Sequence, residues 1–351
     1  MTSSNTISST DPRAGEFEQA VHDQHLAVLW ERLAQLVTRC PSGPTTAHVW
    51  HWDQVREVLL EAGRRISAAE AERRVLIMEN PGMVGRSRIT TSLYAGVQLV
   101  LPGEVAPAHR HSQSALRLVL EGRGGHTVVD GQRLTMTAGD LLVTPPMRWH
   151  DHGNESDGPV IWLDLLDIPL VQHLDTSFYE PAASAAQPVT DPAESVLDAD
   201  DSGGGVARIR SHGSRGGPGT ARFAYSTMHA RLETRRRAGP PDPWHGYRIE
   251  YQDPGREAAV LRTMSAWLSL LPRGWAGRPR RTTDATIQVA LSGHGITTVD
   301  GQAIPWGPCD VLVVPSWSRV EHQVDAESIR FSCSDAAAQR ALGLWREDLH
   351  P

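Results

Sequence analysis

Four histidines in two short runs carry the most specific chemistry in this chain. Gly103-Glu104-Val105-Ala106-Pro107-Ala108-His109-Arg110-His111 places two imidazoles at i and i+2, and Trp149-His150-Asp151-His152 repeats that spacing about forty residues later. Alternate side chains of a strand share a face, so each pair projects from one side of its own strand. Imidazoles brought together from two strands can hold a divalent metal, with His109, His111 and His150 as the candidate ligands. Polar filling of a barrel interior is the competing reading of the same residues.

The elements that must position these rings are short strands. From Thr91 onward the chain alternates brief apolar runs with turn signals, the pattern of a sandwich or barrel: 93–101, 115–120, 126–129, 134–136, 141–144 and 160–165. Asp130-Gly131 between two of these runs is a strong two-residue hairpin signal. Upstream the pattern is helical. Phe17, Val21, Val28, Leu29, Leu33 and Leu36 predict one helix from Glu16 to about Thr38. A second starts with Asp53 as N-cap and ends at Gly63. Ser67-Ala68-Ala69-Glu70 has the form of a capping box leading to Arg73, Arg74 and the strand 75–78. Residues 180–219, rich in Ala, Ser, Gly, Pro and Asp, read as a linker, and helical character returns at 225–235 and 262–271.

A second strand-rich block repeats the first. Gly293-His294-Gly295, Val299-Asp300-Gly301-Gln302 and Asp310 to Pro315 match Gly122-Arg123-Gly124, Val129-Asp130-Gly131-Gln132 and Asp140 to Pro145. The offset is 171 residues before the Asp-Gly turn and 170 after it. Two copies of one β-barrel unit follow. Carried across, the offsets place Arg280 at the position of His109, Thr282 at His111 and Val320 at His150. Only His322, opposite His152, survives, so the N-terminal barrel is expected to carry the chemistry alone.

Composition bounds the remaining possibilities. The chain has 351 residues, enough for about two domains, and Lys+Arg 34 against Asp+Glu 41 gives a net charge of −7. That balance argues against a nucleic-acid partner; Arg235-Arg236-Arg237 reads as a solvated face. No apolar run reaches the ~18 residues of a membrane span, and the start of the chain lacks the features of a signal peptide. Cys40, Cys309 and Cys333 are odd in number and widely spaced, as expected of reduced thiols in a cytoplasmic protein.

The first block resembles the cupin family over nearly its whole length. Cupins share a motif of Gly, five residues, His-x-His, an acidic residue and a Gly, which Gly103, His109, His111 and Gly122 fit. Their second motif runs from Gly through Pro to His and Asn, fitted by Gly139, Pro145, His150 and Asn154. The acidic ligand position holds Ala115, which leaves three histidines and no carboxylate. That neutral ligand set, with Ala71-Glu72-Arg73-Arg74, Leu93 to Gln98, Ser114 to Arg117, Trp149 to Asn154 and Trp162-Leu163-Asp164, is similar to the bicupin ring-cleaving dioxygenases of the gentisate and salicylate type. The likeness is close over 50–180 and looser beyond.

This resemblance implies a mainly β bicupin fold, two double-stranded β-helix (jelly-roll) barrels with N-terminal and inter-domain helices. It divides the chain into a disordered tail (1–14), a helical segment (15–74), a metal-binding barrel (75–180), a linker and helical excursion (181–260) and a second barrel without ligands (261–351). It implies Fe(II) as cofactor, a small aromatic carboxylate and O2 as reactants, and a homo-oligomer, a tetramer in that family. The expected reaction inserts both atoms of O2 between C1, bearing the carboxylate, and C2, bearing the hydroxyl, of a 2-hydroxybenzoate. Arg117 and Arg73 are the expected partners of substrate carboxylate and oxygen. Gln98 and His152 are candidate hydrogen-bonding groups, and Asp164 a candidate for orienting a histidine. Val75, Tyr94, Gly96 and Trp149 are expected at the pocket wall. Gentisate-cleaving relatives often carry a His near the place of Val75. Val75 and Gly96 therefore point to a roomier, less polar wall and to a 5-substituted salicylate, such as 5-nitrosalicylate, beside gentisate. Two rivals remain open: a non-catalytic bicupin that binds an aromatic carboxylate, and a metal-dependent cupin isomerase or hydrolase. One geometric condition applies. In a straight strand Arg117 would lie roughly 20 Å from His111, so Ser112-Gln113-Ser114 must bend the chain.

Overall fold

Paired hairpin turns set the architecture. Asp130 and Gly131 have φ of 48° and 82°, and Asp300 and Gly301 have 48° and 86°, the left-handed pair that folds adjacent strands back with the correct twist. Each turn closes a hairpin, Val129 facing Gln132 and Val299 facing Gln302. Positive φ also recurs at Met147 and Trp317 and at Gly139 and Cys309. The repeat read in the sequence is thus written into the backbone.

The computed structural model describes residues 12–190, 207–208, 221–253 and 258–351. The first barrel faces a seven-stranded sheet against a five-stranded one. The seven-stranded sheet contains Val75–Ile77, Tyr94–Val100, Val160–Leu166, Ala115–Glu121 and Leu141–Thr144 as neighbours. The five-stranded sheet sets Val105–His111 beside His150–Asn154 and Arg123–Val129. In the second barrel a six-stranded sheet contains Thr286–Ser292, Ser328–Ser334 and Ser265–Leu271 and is accompanied by a three-stranded sheet.

Strand alternation explains where the apolar residues go. In Ala115–Glu121 one face carries Leu116, Leu118 and Leu120 and the other Ala115, Arg117 and Val119. Leu116, Leu118, Leu163 and Leu165 join Leu268, Leu270, Ile329 and Phe331 in the largest core, which lies between the two barrels. Each barrel interior has a smaller apolar floor, Val119, Met136, Leu142 and Trp162 in the first and Trp275, Trp306, Leu312 and Val324 in the second. The rest of each interior is therefore free to be polar.

Several expectations need correction. The segment 15–74 is not purely helical, because His48–Trp50 pairs with Val311–Val314 in the second barrel. The predicted helix at 262–271 is the strand Ser265–Leu271, with Ala266, Leu268 and Leu270 alternating against Trp267 and Ser269. Burial on both faces hid that period of two. Tyr247–Tyr251 joins the same sheet, so the second barrel begins before 261. The single N-terminal helix is two, Pro12–Asp23 and Leu29–Leu36, with His25 at φ 53° between them. Helix Trp52–Arg65 starts before Asp53 and runs past Gly63. The Ser67–Glu70 capping box forms, and the expected helix at 225–235 spans Tyr225–Ala238. The expected tail 1–14 lies outside the described residues except 12–14, which are helical. Of the expected linker at 180–219, residues 191–206 and 209–219 also lie outside them.

Candidate metal centre

Neighbouring strands bring the three imidazoles together. His109 and His150 face each other across Val105–His111 and His150–Asn154, and His111 shares its strand face with His109. Their ligand atoms lie within 4.8 Å of one another. Each ring is held by a main-chain carbonyl two residues away: His109 Nδ1 at 3.2 Å from the Pro107 oxygen, His111 Nδ1 at 2.9 Å from Gln113 and His150 Nδ1 at 2.9 Å from Arg148. With Nδ1–H of His111 and His150 donating to a carbonyl, their Nε2 keeps its lone pair for a metal, whereas His109 Nδ1 also meets the Arg73 guanidinium, a donor. His150 Nε2 is buried with no partner. Such an orphaned nitrogen, on a ring that shares its space with two others, fits a metal ligand.

The rings are held neutral. Burial first, then the Arg73 charge, pushes His109 down to about 2. Burial and Arg117 push His111 down to about 4. His150 and His152 lie well below the ordinary 6.5, again through burial and then Arg117. A metal ion meets imidazoles that have no proton to release. Among the described residues no carboxylate joins the cluster, and Ala115 stands buried where one could have been. The metal keeps its full charge.

The facing sheet supplies charge of its own. Residues 112–114 lie outside either strand, and the chain passes from the five-stranded to the seven-stranded sheet between Val105–His111 and Ala115–Glu121. Arg117 consequently acts electrostatically on all four rings. Its Nη1 donates to Thr144 Oγ1 at 2.6 Å, and its Nε lies 3.1 Å from Asp164 Oδ1. Neither of the latter two atoms makes an aligned hydrogen bond, so their attraction is that of an ion pair at short range. Burial pushes the Asp164 carboxyl up from its ordinary value while Arg117 pulls it back.

Asp164 corrects an expectation. Its Oδ2 accepts from Trp162 Nε1 at 2.9 Å, so its partners are Trp162 and Arg117 rather than a histidine. Trp149 is a second correction. The Arg110 guanidinium lies 4.6 Å above its ring, and Arg110 points away from the face shared by His109 and His111. Trp149 therefore packs with that outward-pointing arginine and does not wall the triad.

Of the other expected residues, Arg73 and His152 neighbour the triad, the His152 ring lying 5.7 Å from that of His150. Arg73 Nη2 donates to the Pro107 carbonyl at 2.7 Å and touches His109 Nδ1. Adjacent Arg74 points elsewhere, into a buried ion pair with Glu104 at 2.8 Å. Gln98 sits between Val75 and Trp162 in register, its Nε2 buried without a partner, and His152 Nδ1 is likewise open. Gly96 is not an empty space: a Cβ there would meet Tyr94 Oη and Val75 Cγ1, each at 2.6 Å. The space beside Gly96 is filled by those two side chains. Sequence reasoning missed Thr144 as the anchor of Arg117 and Trp162 as the bridge from Asp164 to His152, whose ring lies 5.2 Å from the indole. Cross-strand register alone could have pointed to them. The carbonyls of Pro107, Gln113 and Arg148 have no side-chain signature.

Two barrels with one three-histidine centre define a bicupin metalloprotein. The cupin domain family matches residues 96–166. Gentisate 1,2 dioxygenase 1 of Aquipseudomonas alcaligenes is 44% identical over 95% of this chain and 95% of its own length. The 5-aminosalicylate 1,2-dioxygenase of a Comamonas species is 34% identical over 93% of this chain and 87% of its own. The salicylate 1,2-dioxygenase of Pseudoaminobacter salicylatoxidans, solved with gentisate, superposes with a TM-score of 0.89 at 28% identity, covering 99% of this chain and 97% of that one. The chain belongs to the bicupin gentisate/salicylate 1,2-dioxygenase family, the ring-cleaving non-haem iron dioxygenases. His109, His111 and His150 form its iron site.

Proposed function

We propose that the chain cleaves gentisate between C1 and C2. The observation that carries this reading is the neutral triad, with His150 Nε2 buried and unpartnered, facing a buried guanidinium. Fe(II) held there supplies chelation of the substrate and activation of O2. Arg117 lies within reach of a charge developing at the centre and complements the substrate carboxylate. Arg73 fixes His109 and adds positive charge on its side. Neutral His152 accepts a hydrogen bond from the 2-hydroxyl through its open Nδ1, and Gln98 Nε2 donates to a substrate oxygen. Opening the ring leaves C1 as an oxo carbon beside its original carboxylate and turns C2 into a second carboxylate. Both oxygen atoms are accounted for.

Identity to a gentisate dioxygenase and the Tyr94 hydroxyl beside Gly96 support gentisate, which carries a second hydroxyl at C5. Val75, apolar and half-buried beside Gln98, supports 5-substituted salicylates as second substrates. Residues Leu29, Trp30, Leu33 and Leu36 leave an exposed apolar helix face, which supports the expected homotetramer. Free Cys40, Cys309 and Cys333 support a cytoplasmic location; among the described residues no helix is long and apolar enough to cross a membrane. The test is anaerobic loading with Fe(II) followed by O2 uptake with gentisate, salicylate and 5-nitrosalicylate. Gentisate is expected to be fastest. A faster 5-nitrosalicylate rate would reverse the substrate assignment, and binding without O2 uptake would favour a non-catalytic bicupin.

A further inference from the structure

The second barrel keeps the geometry of the first and replaces its chemistry. Arg280 pairs with Val320 where His109 pairs with His150, and Thr297 pairs with His322 where Thr127 pairs with His152. In the same register Arg248 occupies the place of Val75, and Arg330 that of Trp162. These arginines line a cavity of ≈ 580 Å³ together with Tyr247, Trp267 and Trp345.

Arg330 is buried beyond what structural pairing explains, beside the half-buried Arg248 and Arg280. Arg330 is 5% exposed, and its Nε and Nη1 have no hydrogen-bond partner; Arg280 Nε has none either. Arg248 lies 4.3 Å above the Trp267 ring and contacts His245 Nδ1 at 3.1 Å. Four carboxylates, Asp242, Glu250, Asp284 and Glu347, also line the cavity, but two are already engaged. Asp284 accepts from Trp345 Nε1 at 2.8 Å, and Asp242 accepts the backbone N–H groups of Trp244 and His245. Asp284 and Glu250 steady Arg248, and Asp284, Glu347 and Asp242 steady Arg280. The charges that act on Arg330 are those of Arg280 and Arg248, and with burial they lower its proton affinity to about 9. A guanidinium keeps its proton under such pressure, so the cost is borne as an uncompensated buried charge until an anion arrives.

We propose that this cavity is a second ligand site, for a small organic carboxylate. Five arginines line the cavity against four carboxylates, and Arg330, acted on only by Arg280 and Arg248, is the guanidinium left without a counter-charge; a planar carboxylate matches its geometry. The volume is in the range of small-molecule pockets and far beyond the need of an inorganic oxyanion. Indole and phenol rings on the wall favour an organic body. The proposal is independent of the reaction at the iron centre.

The experiment titrates maleate into the iron-loaded full-length chain at constant ionic strength, by calorimetry and thermal unfolding. One saturable equivalent per chain and a raised unfolding temperature are expected. Arg330→Met should unfold at a higher temperature than the parent without maleate, bind maleate at least about thirtyfold more weakly and keep its ring-cleaving rate. Arg248→Met should weaken binding similarly and carries the comparison alone if Arg330→Met does not fold. His150→Ala, which lacks an iron ligand, should still bind. Maleate binding that survives both arginine substitutions, disappears in His150→Ala, or is absent while inorganic phosphate saturates would overturn the proposal.

Discussion

Breaking the Arg117–Asp164 pair should cost far more than losing a surface salt bridge. The side chains are 4% and 9% exposed with Nε 3.1 Å from Oδ1, so at an effective dielectric of ~20 the gross attraction is about 5 kcal/mol. Imperfect alignment of these atoms places the net loss near the lower end of the roughly 3–5 kcal/mol typical of breaking a buried pair. Asp164→Asn keeps an oxygen for Trp162 Nε1 and strands Arg117. We expect a loss of about 3 kcal/mol, or a fall of roughly 4 °C in unfolding temperature for 351 residues unfolding together. Arg117→Met strands a carboxyl that can take up a proton. Its folded-state pKa, raised by burial, makes that loss largest at neutral pH and smaller as pH falls. The double substitution should be less destabilised than the sum of the singles by about 3 kcal/mol at pH 7. The assay is urea unfolding of the four iron-free proteins at pH 7 and pH 5. Additive losses would show that the two groups do not act as a pair.

Other consequences follow from the same geometry. His109→Ala and His150→Ala should each lose iron by metal analysis, whereas His322→Ala should retain one equivalent per chain; two equivalents in the parent would contradict a metal-free second barrel. In the iron-free protein His109 and His111 are pushed from the ordinary 6.5 to about 2 and about 4. Folded-state pKa values below the unfolded one give stability that is present above pH 6.5 and lost as pH falls, by up to about 1.4 kcal/mol per unit per group. Unfolding titrations between pH 7 and pH 4 should show that fall, and a flat profile would mean the rings are not buried neutral. Gly96→Ala forces Tyr94 or Val75 aside, each 2.6 Å from the new Cβ. It should cost roughly 1–3 kcal/mol and change the ratio of gentisate to 5-nitrosalicylate rates; an unchanged ratio would remove this wall from substrate choice.

The ligands were legible because their chemistry and their period of two coincide on the strand faces. The repeat was legible because Asp130-Gly131 and Asp300-Gly301 need backbone angles that few residues adopt easily. Contacts set by register were harder to see. Asp164 meets Arg117 and Trp162 because of cross-strand alignment, and no spacing in the chain announces that. Ser265–Leu271 looked helical because burial on both sides erased its alternation. Arg248, Arg280 and Arg330 are dispersed along the sequence, where isolated arginines read as surface charge, and only folding turns them inward together.

The central claim is that one neutral three-histidine iron site per chain inserts both atoms of O2 into a 2-hydroxybenzoate. A single turnover of anaerobically iron-loaded protein with gentisate under ¹⁸O2, read by mass spectrometry and normalised to bound iron, tests it most directly. One ring-opened dicarboxylate per iron carrying two ¹⁸O atoms is the predicted result. A product with no label in the new carboxylate, or unchanged gentisate, would contradict it.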